Sequence, residues 1–310
     1  MTTDNDAVSR SRQRVLEALD LWAARPEGQP EVQRIGLGFT NYNWRVSWPD
    51  RTSHFVKSPG EKTDGLIERE TAVDASRKVG LCGVAPQLLH VDLHSGVEIY
   101  EFLEGFRGAT LIDLYDTDIL EGILSGFRTV HRRERFLSEA TGFEQIDAHL
   151  DHLARLGIAL PAQFTRLQPA LAKARAAIEA SGMDLEGTYN DAHITNYMIG
   201  PGKTVKIIDW EYASDNDPAW DLGGIAFEAF MTPERERLMV EVYYGSWRAD
   251  LGARIYLYSN LAMMKWSLWA LLQSQLSSMS YDFRQYGQLL LMRAQYGIAS
   301  PRWEAALRDV

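Results

Sequence analysis

The chain has 310 residues, 45 % of them apolar and 24 % charged, and its 32 Lys+Arg against 42 Asp+Glu give a formal net charge of −10. These are ordinary globular values, which exclude a disordered, collagen-like or low-complexity scaffold, and the length suffices for one large domain or two lobes. The single cysteine, Cys82, excludes an internal disulfide framework and a multi-cysteine metal site, and the acidic balance argues against a face for nucleic acid.

The polar start MTTDNDAVSRSRQR lacks the apolar core of a secretory signal, and no later stretch is apolar enough to span a bilayer; a cytoplasmic protein without a membrane partner is expected. Within residues 12–24, Val15, Leu16, Leu19 and Trp22 fall at helical spacing. Residues 32–59 are rich in β-branched and aromatic residues and turn at WPDRT, predicting two or three antiparallel strands. A helix is predicted from about Leu66 to Val79, stopped by Gly80. Nothing assigns chemistry to Cys82, which follows it. Residues 85–105 read as two more strands joined at His94–Gly96. Beyond Gly105 helical periodicity dominates, over 111–115, 119–132, 143–154 and 163–180, and again from Pro218 to the end. The one interruption is TYNDAHITNYMIGPGKTVKIIDWEYA, where two short apolar strands flank Gly200-Pro201-Gly202. The expected fold is α+β and two-lobed. A strand-rich lobe spans 1–104, with residues 1–30 as a helical extension. A larger helical lobe spans 105–310 and contains a small hairpin.

That hairpin carries the chemistry. Asp191 and Asn196 precede its first strand and Asp209 ends its second, so the turn folds Asp209 back beside Asn196. A carboxylate and a carboxamide at one strand end offer hard oxygen ligands suited to Mg²⁺. Asp191 is then placed to accept a proton from a substrate hydroxyl, the division of labour of kinase-type phosphoryl transfer. Asn and Asp are also ordinary turn residues, and the spacing alone is weak. Gly202-Lys203-Thr204 is not the end of a P-loop, because Tyr197 stands where the first glycine is required and a strand follows instead of a helix. The loop Gly36-Leu37-Gly38-Phe39-Thr40-Asn41 could cover phosphates with backbone N–H groups but lacks a third glycine. Lys57 ends a predicted strand, and Glu68 or Glu70 on the next helix fits as its partner.

Together these residues resemble the choline/ethanolamine kinase family, within the aminoglycoside-phosphotransferase-like kinases, from about Ile35 to Gln295. The motifs are GFTNYNWRV, Lys57, YEFLEG at 100–105, TYNDAHITNYMI and IIDWEYASDNDPAWDLG. The resemblance implies a protein-kinase-like fold and phosphorylation of an alcohol with ATP and Mg²⁺. It implies Asp191 as catalytic base, Asn196 and Asp209 on the metal, and Asp221 as support for the catalytic loop. Gly38, Thr40, Asn41, Lys57, Glu70, Glu101 and Phe102 are implied around the nucleotide. One departure is Tyr189, where the family usually has histidine; it implies altered loop support and keeps a nucleotide-binding pseudokinase open.

The acceptor is read from KWSLWALLQ, where Trp266, Trp269 and Gln273 share a helix face. Two such rings are commonly core packing, but aromatic faces also hold a quaternary ammonium. The segment is similar to the Trp-pair region of choline kinases, which implies Trp266, Trp269, Tyr286 and Tyr212 around choline, with Glu211 or Glu228 as the carboxylate. Ethanolamine, thiamine and an aminoglycoside stay open as acceptors, and a homodimer is compatible with the chain. His131 is expected to be a packed histidine.

Overall fold

The computed structural model describes residues 4–36, 41–60, 68–277 and 281–310, with side chains from residue 6. Helix α1 (Asp4–Leu21) is followed by β1 (Glu31–Arg34), β2 (Asn41–Ser47), β3 (Ser53–Pro59), helix α2 (Arg69–Leu81), β4 (Leu88–Asp92) and β5 (Val97–Glu101). The strands form one antiparallel sheet in the order β1-β2-β3-β5-β4. Successive side chains on a strand point to opposite faces. One face therefore collects Trp44, Val46, Val56, Val97 and Ile99, which bury against Val15, Ala18 and Leu19 of α1 and against Trp22 just beyond its end. These helix positions recur every three or four residues, so a single stripe does the packing. Trp44 Nε1 also donates to Ser11 Oγ at 3.0 Å, and Arg14 to the carbonyl of Pro59 at 2.9 Å. The opposite face presents Asn43, Arg45, Phe55, Lys57 and Tyr100 to a cavity.

The helix end expected at Gly80 lies elsewhere. Gly80 is inside α2, and a Cβ there would stand 3.1 Å from Gln87 Cα and 3.2 Å from the carbonyl oxygen of Pro86. Glycine is needed for that close approach, while the left-handed turn falls at Gly83. Cys82 donates to Glu134, and burial pushes its thiol up to about 11, which keeps it protonated and unreactive near neutral pH.

The remaining chain contains β6 (Arg107–Gly108), α3 (Thr117–His131), α4 (Gly142–Arg155), α5 (Ala162–Ser181), β7 (Glu186–Thr188), β8 (Tyr197–Ile199), β9 (Val205–Ile207), β10 (Ser214–Asn216), α6 (Pro218–Glu228), α7 (Pro233–Tyr244), α8 (Ala249–Leu276), α9 (Phe283–Ile298) and α10 (Pro301–Asp309). Residues 111–115 are not an α-helix; a single 3₁₀ turn forms at Asp113–Tyr115. Asp113 accepts from Thr110 and Arg107, which anchors the start of the turn. Helices α3, α4 and α6 start at Asp116, a Thr141–Glu144 capping box and Asp217, each satisfying first-turn N–H groups. Helix α8 runs 28 residues and is buried on every side, packing on α6, α9, α10 and α4. No helix among the described residues is long and apolar enough to cross a membrane.

His149 of α4 is buried in this helical body, and its Nε2 has no hydrogen-bond partner. Burial, with the nearby charges of Lys265 and His152, lowers it to about 3. Its folded value lies below its unfolded one, so it withholds stability as pH falls from the unfolded value near 6.5 towards 3, by about 1.4 kcal/mol per pH unit. The melting temperature should drop between pH 7 and 5, and His149→Phe should remove part of that drop. An identical drop in the variant would show that His149 is not its source.

Candidate active site

The loop 189–196 is held from beneath. Asp221, in the first turn of α6 and 1 % exposed, accepts from the backbone N–H of Tyr189 at 2.8 Å and of Asn190 at 2.7 Å. His131, in the last turn of α3, brings its Nε2 to the same carboxylate at 2.9 Å and its Nδ1 to the Tyr243 hydroxyl at 2.6 Å. It is thus a packed, bridging histidine, as expected, and Asp221 supports the loop. Asn190 takes a left-handed backbone (φ 65°), which asparagine tolerates better than most residues. Its side chain is tied on both ends. Oδ1 accepts from Thr188 and Asn216, and Nδ2 donates to the Tyr212 carbonyl and Ser214 Oγ. Tyr189 donates its hydroxyl to the Ile208 carbonyl at 2.6 Å and packs edge-on against Trp210 at 4.7 Å. It therefore binds the loop to the residue before Asp209.

The hairpin does the rest. β8 and β9 pair with Tyr197 opposite Ile207, and the Ile208 N–H donates to the Asn196 carbonyl at 2.9 Å. Asp209, again left-handed at φ 65°, emerges beside the loop. Asn196 Nδ2 donates to Asp191 Oδ2 at 3.1 Å, which orients the carboxylate and leaves the carboxamide oxygen of Asn196 as an acceptor. Burial, together with the charges of Asp209 and Glu228, pushes Asp191 up to about 7, against His193 and Lys265. Among the described residues no three His, Cys, Asp or Glu side chains cluster as a complete metal cage. Asn196 and Asp209 offer the oxygen donors Mg²⁺ takes, and such a site is ordinarily completed by water and substrate phosphates.

Lys57 reaches across from β3. Its Nζ pairs with Asp209 Oδ1 at 2.8 Å and with Glu211, which in turn accepts from Asn41 Nδ2 at 2.9 Å. Burial alone would lower the ammonium, but Asp209, Glu211 and Glu98 hold it well above the ordinary lysine range. The expected Lys57–Glu70 pairing is not the one formed. Glu70 is exposed in the first turn of α2, and the acidic neighbour on the sheet is Glu98, which the strand register sets opposite Lys57. Glu98 accepts from the hydroxyl of Tyr100, which also contacts Ser76 of α2 at 3.1 Å. Glu211, expected beside the acceptor's ammonium, is bound at the Lys57 end instead, because that lysine and Asn41 satisfy its carboxylate. Gly38 and Thr40 lie outside the described residues.

A single cavity of about 550 Å³ joins these groups. At one end it is lined by Glu101, the last residue of β5, and Phe102 after it, together with Phe55, Met198 and Ile208. Its middle holds Lys57, Asp209, Asn196 and Asp191. Its far end is a wall of rings: Tyr212 meets Trp266 edge-on at 5.4 Å, Trp266 meets Trp269 at 5.7 Å, and Tyr281 meets Tyr286 at 6.3 Å. The two tryptophans are each 8 % exposed, so they are both core and lining. Glu228, at the end of α6, accepts from the Ile194 N–H at 3.2 Å, and its charge acts on both Asp191 and Tyr286. It is the carboxylate that stands with the rings. Asn190, Glu98, Tyr100 and Lys265 carry no sequence signal that marked them. Lys265 sits in α8 with its Nζ 3.2 Å from the Asn190 carbonyl, and burial lowers it to about 8, with Asp191 and Asp221 opposing.

The sequence profile of the phosphotransferase enzyme family matches residues 31–255. The solved structure of a choline/ethanolamine kinase family protein from Mesorhizobium loti is 25 % identical, with a TM-score of 0.80 over 95 % of this chain and 98 % of that one. Ethanolamine kinase 2 of Mus musculus is 25 % identical, the match covering 92 % of this chain and 80 % of that protein. Protein LicA of Haemophilus influenzae is 22 % identical over 66 % of this chain, and the match spans 60 % of LicA's own length. With a profile match over most of its length, a kinase-like fold and the loop and hairpin described above, the chain belongs to the phosphotransferase enzyme family.

Proposed function

We propose that this protein transfers the γ-phosphoryl group of ATP, with Mg²⁺, to the hydroxyl of a small cationic amino alcohol, choline or ethanolamine. The observation that carries this reading is the continuity of one cavity from Glu101 and Phe102, past Lys57 and Asp191, to a wall of five aromatic rings with Glu228 beside it. Similarity to a choline/ethanolamine kinase family protein and to an ethanolamine kinase points the same way. A cation without N–H groups is best held by ring faces and a nearby carboxylate, and each ring contributes about 0.5–2 kcal/mol. An aminoglycoside would favour an open acidic cleft over such a wall.

The adenine would lie between Phe55 and the Met198–Ile208 side, against Glu101 and Phe102. Lys57 would meet the phosphates. Asn196 and Asp209 would hold Mg²⁺, which when bound neutralises phosphate charge. Asp191, its Oδ2 engaged by Asn196, takes the acceptor's proton on its other oxygen. The new bond forms between the acceptor oxygen and the γ-phosphorus, the bond to the β-phosphate oxygen breaks, and ADP leaves with that oxygen's charge. Pairing with Asp209 and Glu211 fixes the Lys57 ammonium beside the residues that would hold Mg²⁺. Tyr189 performs the loop support that the family's histidine implies, so the departure at this position is consistent with an active enzyme.

ADP release measured with choline, ethanolamine, thiamine and an aminoglycoside tests the reading; silence with all four acceptors would sink it. Asp191→Asn should lower kcat by about 10²-fold or more with the melting temperature preserved. Full turnover in that variant would remove Asp191 from the chemistry. Because Asp191 must be ionised and its value is raised, kcat/KM should fall as pH drops below about 7. A bound metal at Asp209 moves that limb downwards, and a flat profile to pH 5 contradicts the assignment. Trp269→Leu should raise KM for choline about 2- to 30-fold with little change in kcat. A matched loss of stability with unchanged KM would instead make Trp269 core packing only.

A further inference from the structure

Lys57 meets acidic side chains from two sources. Asp209 and Glu211 come to it from the segment after β9, a strand that belongs to a different sheet. Glu98 lies on its own sheet: the register of β3 and β5 sets Lys57 opposite Glu98 and Phe55 opposite Tyr100. Residues directly opposite on antiparallel strands share a face and stand within reach of each other. The charge of Glu98 accordingly acts on the Lys57 ammonium.

Glu98 is itself held. Tyr100, two residues on and on the same face, donates its hydroxyl to the Glu98 carboxylate and lies 3.1 Å from Ser76 Oγ of α2. A phenol has one proton, so with that proton on Glu98 the Tyr100 oxygen is free to accept from Ser76. Burial, with the charge of Glu98, holds the phenol well above its ordinary range, which keeps it a donor. Helix α2 offers Lys57 no carboxylate of its own. Its buried residues are Ala72, Val73, Ala75, Ser76, Val79 and Gly80. Its two acids are engaged elsewhere or turned outwards: Asp74 pairs with Lys78 at 2.7 Å, and Glu70 is exposed.

In protein kinases the corresponding lysine is held by a glutamate on the helix, whose placement controls activity. We propose that Glu98, braced by Tyr100, is the positioning residue of Lys57 and replaces a helix glutamate, with α2 acting as a strut behind Tyr100. The lysine is then oriented by its own sheet. On the reading of Asp209 as a Mg²⁺ holder, that carboxylate is shared with the metal once nucleotide binds, while Glu98 keeps its place opposite Lys57. Displacing α2 would loosen Tyr100 but would carry no carboxylate away from the lysine. The proposal rests on the reading of Lys57 as a group that meets the nucleotide phosphates.

The test compares wild type with Glu98→Gln, Tyr100→Phe, their double variant and Glu70→Gln. A non-hydrolysable ATP analogue with Mg²⁺, titrated by calorimetry without acceptor, is the probe. Glu98→Gln should weaken its binding about three- to tenfold and Tyr100→Phe about two- to threefold. The double variant should lose no more than Glu98→Gln alone, because Tyr100 acts through Glu98. In turnover, kcat/KM for ATP should fall in step with analogue affinity while KM for choline stays within about twofold of wild type. A merely structural pair would lower the melting temperature and move both KM values together. Unaltered analogue binding in folded Glu98→Gln overturns the proposal. A larger loss in Glu70→Gln than in Glu98→Gln also overturns it, by returning the pairing to the helix. Where Glu98→Gln does not fold, unaltered binding in Tyr100→Phe overturns it, and failure of both variants to fold makes the pair structural alone. A wild type that follows this binding pattern but turns over no acceptor sinks the amino-alcohol reading and leaves the role of Glu98 standing. Turnover of choline with unaltered analogue affinity in Glu98→Gln does the reverse, and a wild type that does not bind the analogue ends both.

Discussion

Two hydrogen bonds from consecutive backbone N–H groups to one buried carboxylate, that of Asp221, fix everything that follows in the site. A buried carboxylate needs donors for its lone pairs, and charge-assisted bonds are the stronger kind. By supplying them, Tyr189 and Asn190 are committed to a single loop path. Asp191 is then aimed by chain geometry, with no freedom left to search for its place. His131 completes the carboxylate's shell from α3, so three elements distant in sequence agree on the position of one residue.

The two strained residues belong to the same logic. Asn190 and Asp209 both hold φ near 65°, a conformation most side chains avoid. Asn190 is kept there by six hydrogen bonds through side chain and backbone, and Asp209 by the hairpin and Lys57. The hairpin itself is short, three residues on each side, and gains its rigidity from its surroundings. Tyr189 reaches the Ile208 carbonyl, and Ile208 donates to Asn196, so loop and hairpin form one closed set of bonds.

Much of this is legible in the sequence alone. Asp191, Asn196 and Asp209 lie within nineteen positions of one another, and a single turn decides their proximity, so local pattern suffices. The stripe Val15, Leu19 and Trp22 announced a buried helix, although its partner, the back of the sheet, could not be read from spacing. Pairings that depend on strand register were out of reach. Nothing in the sequence says that Lys57 faces Glu98 and not Glu70, since that follows from how β3 and β5 align. Glu211 was misplaced for a similar reason: two residues after Asp209 it points towards the sheet, where Lys57 and Asn41 claim it. Lys265 carries no signal because a lysine in a helix that also holds Asp250, Arg254 and Asn260 resembles a side chain that reaches for solvent, and only its burial shows that it cannot.

Helix α8 is at once the axis of the helical body and the support of the ring wall, since Trp266 and Trp269 are among its buried residues. On the proposed function, changes of head-group preference are therefore unequally accessible to mutation. Exchanging either tryptophan would alter recognition and core packing together and would draw on the same small reserve of stability. Tyr281, 44 % exposed, is tied to far less of the core. Divergence towards new acceptors would be least constrained at the outer rim of the pocket, while the inner wall is preserved by the fold whatever the substrate.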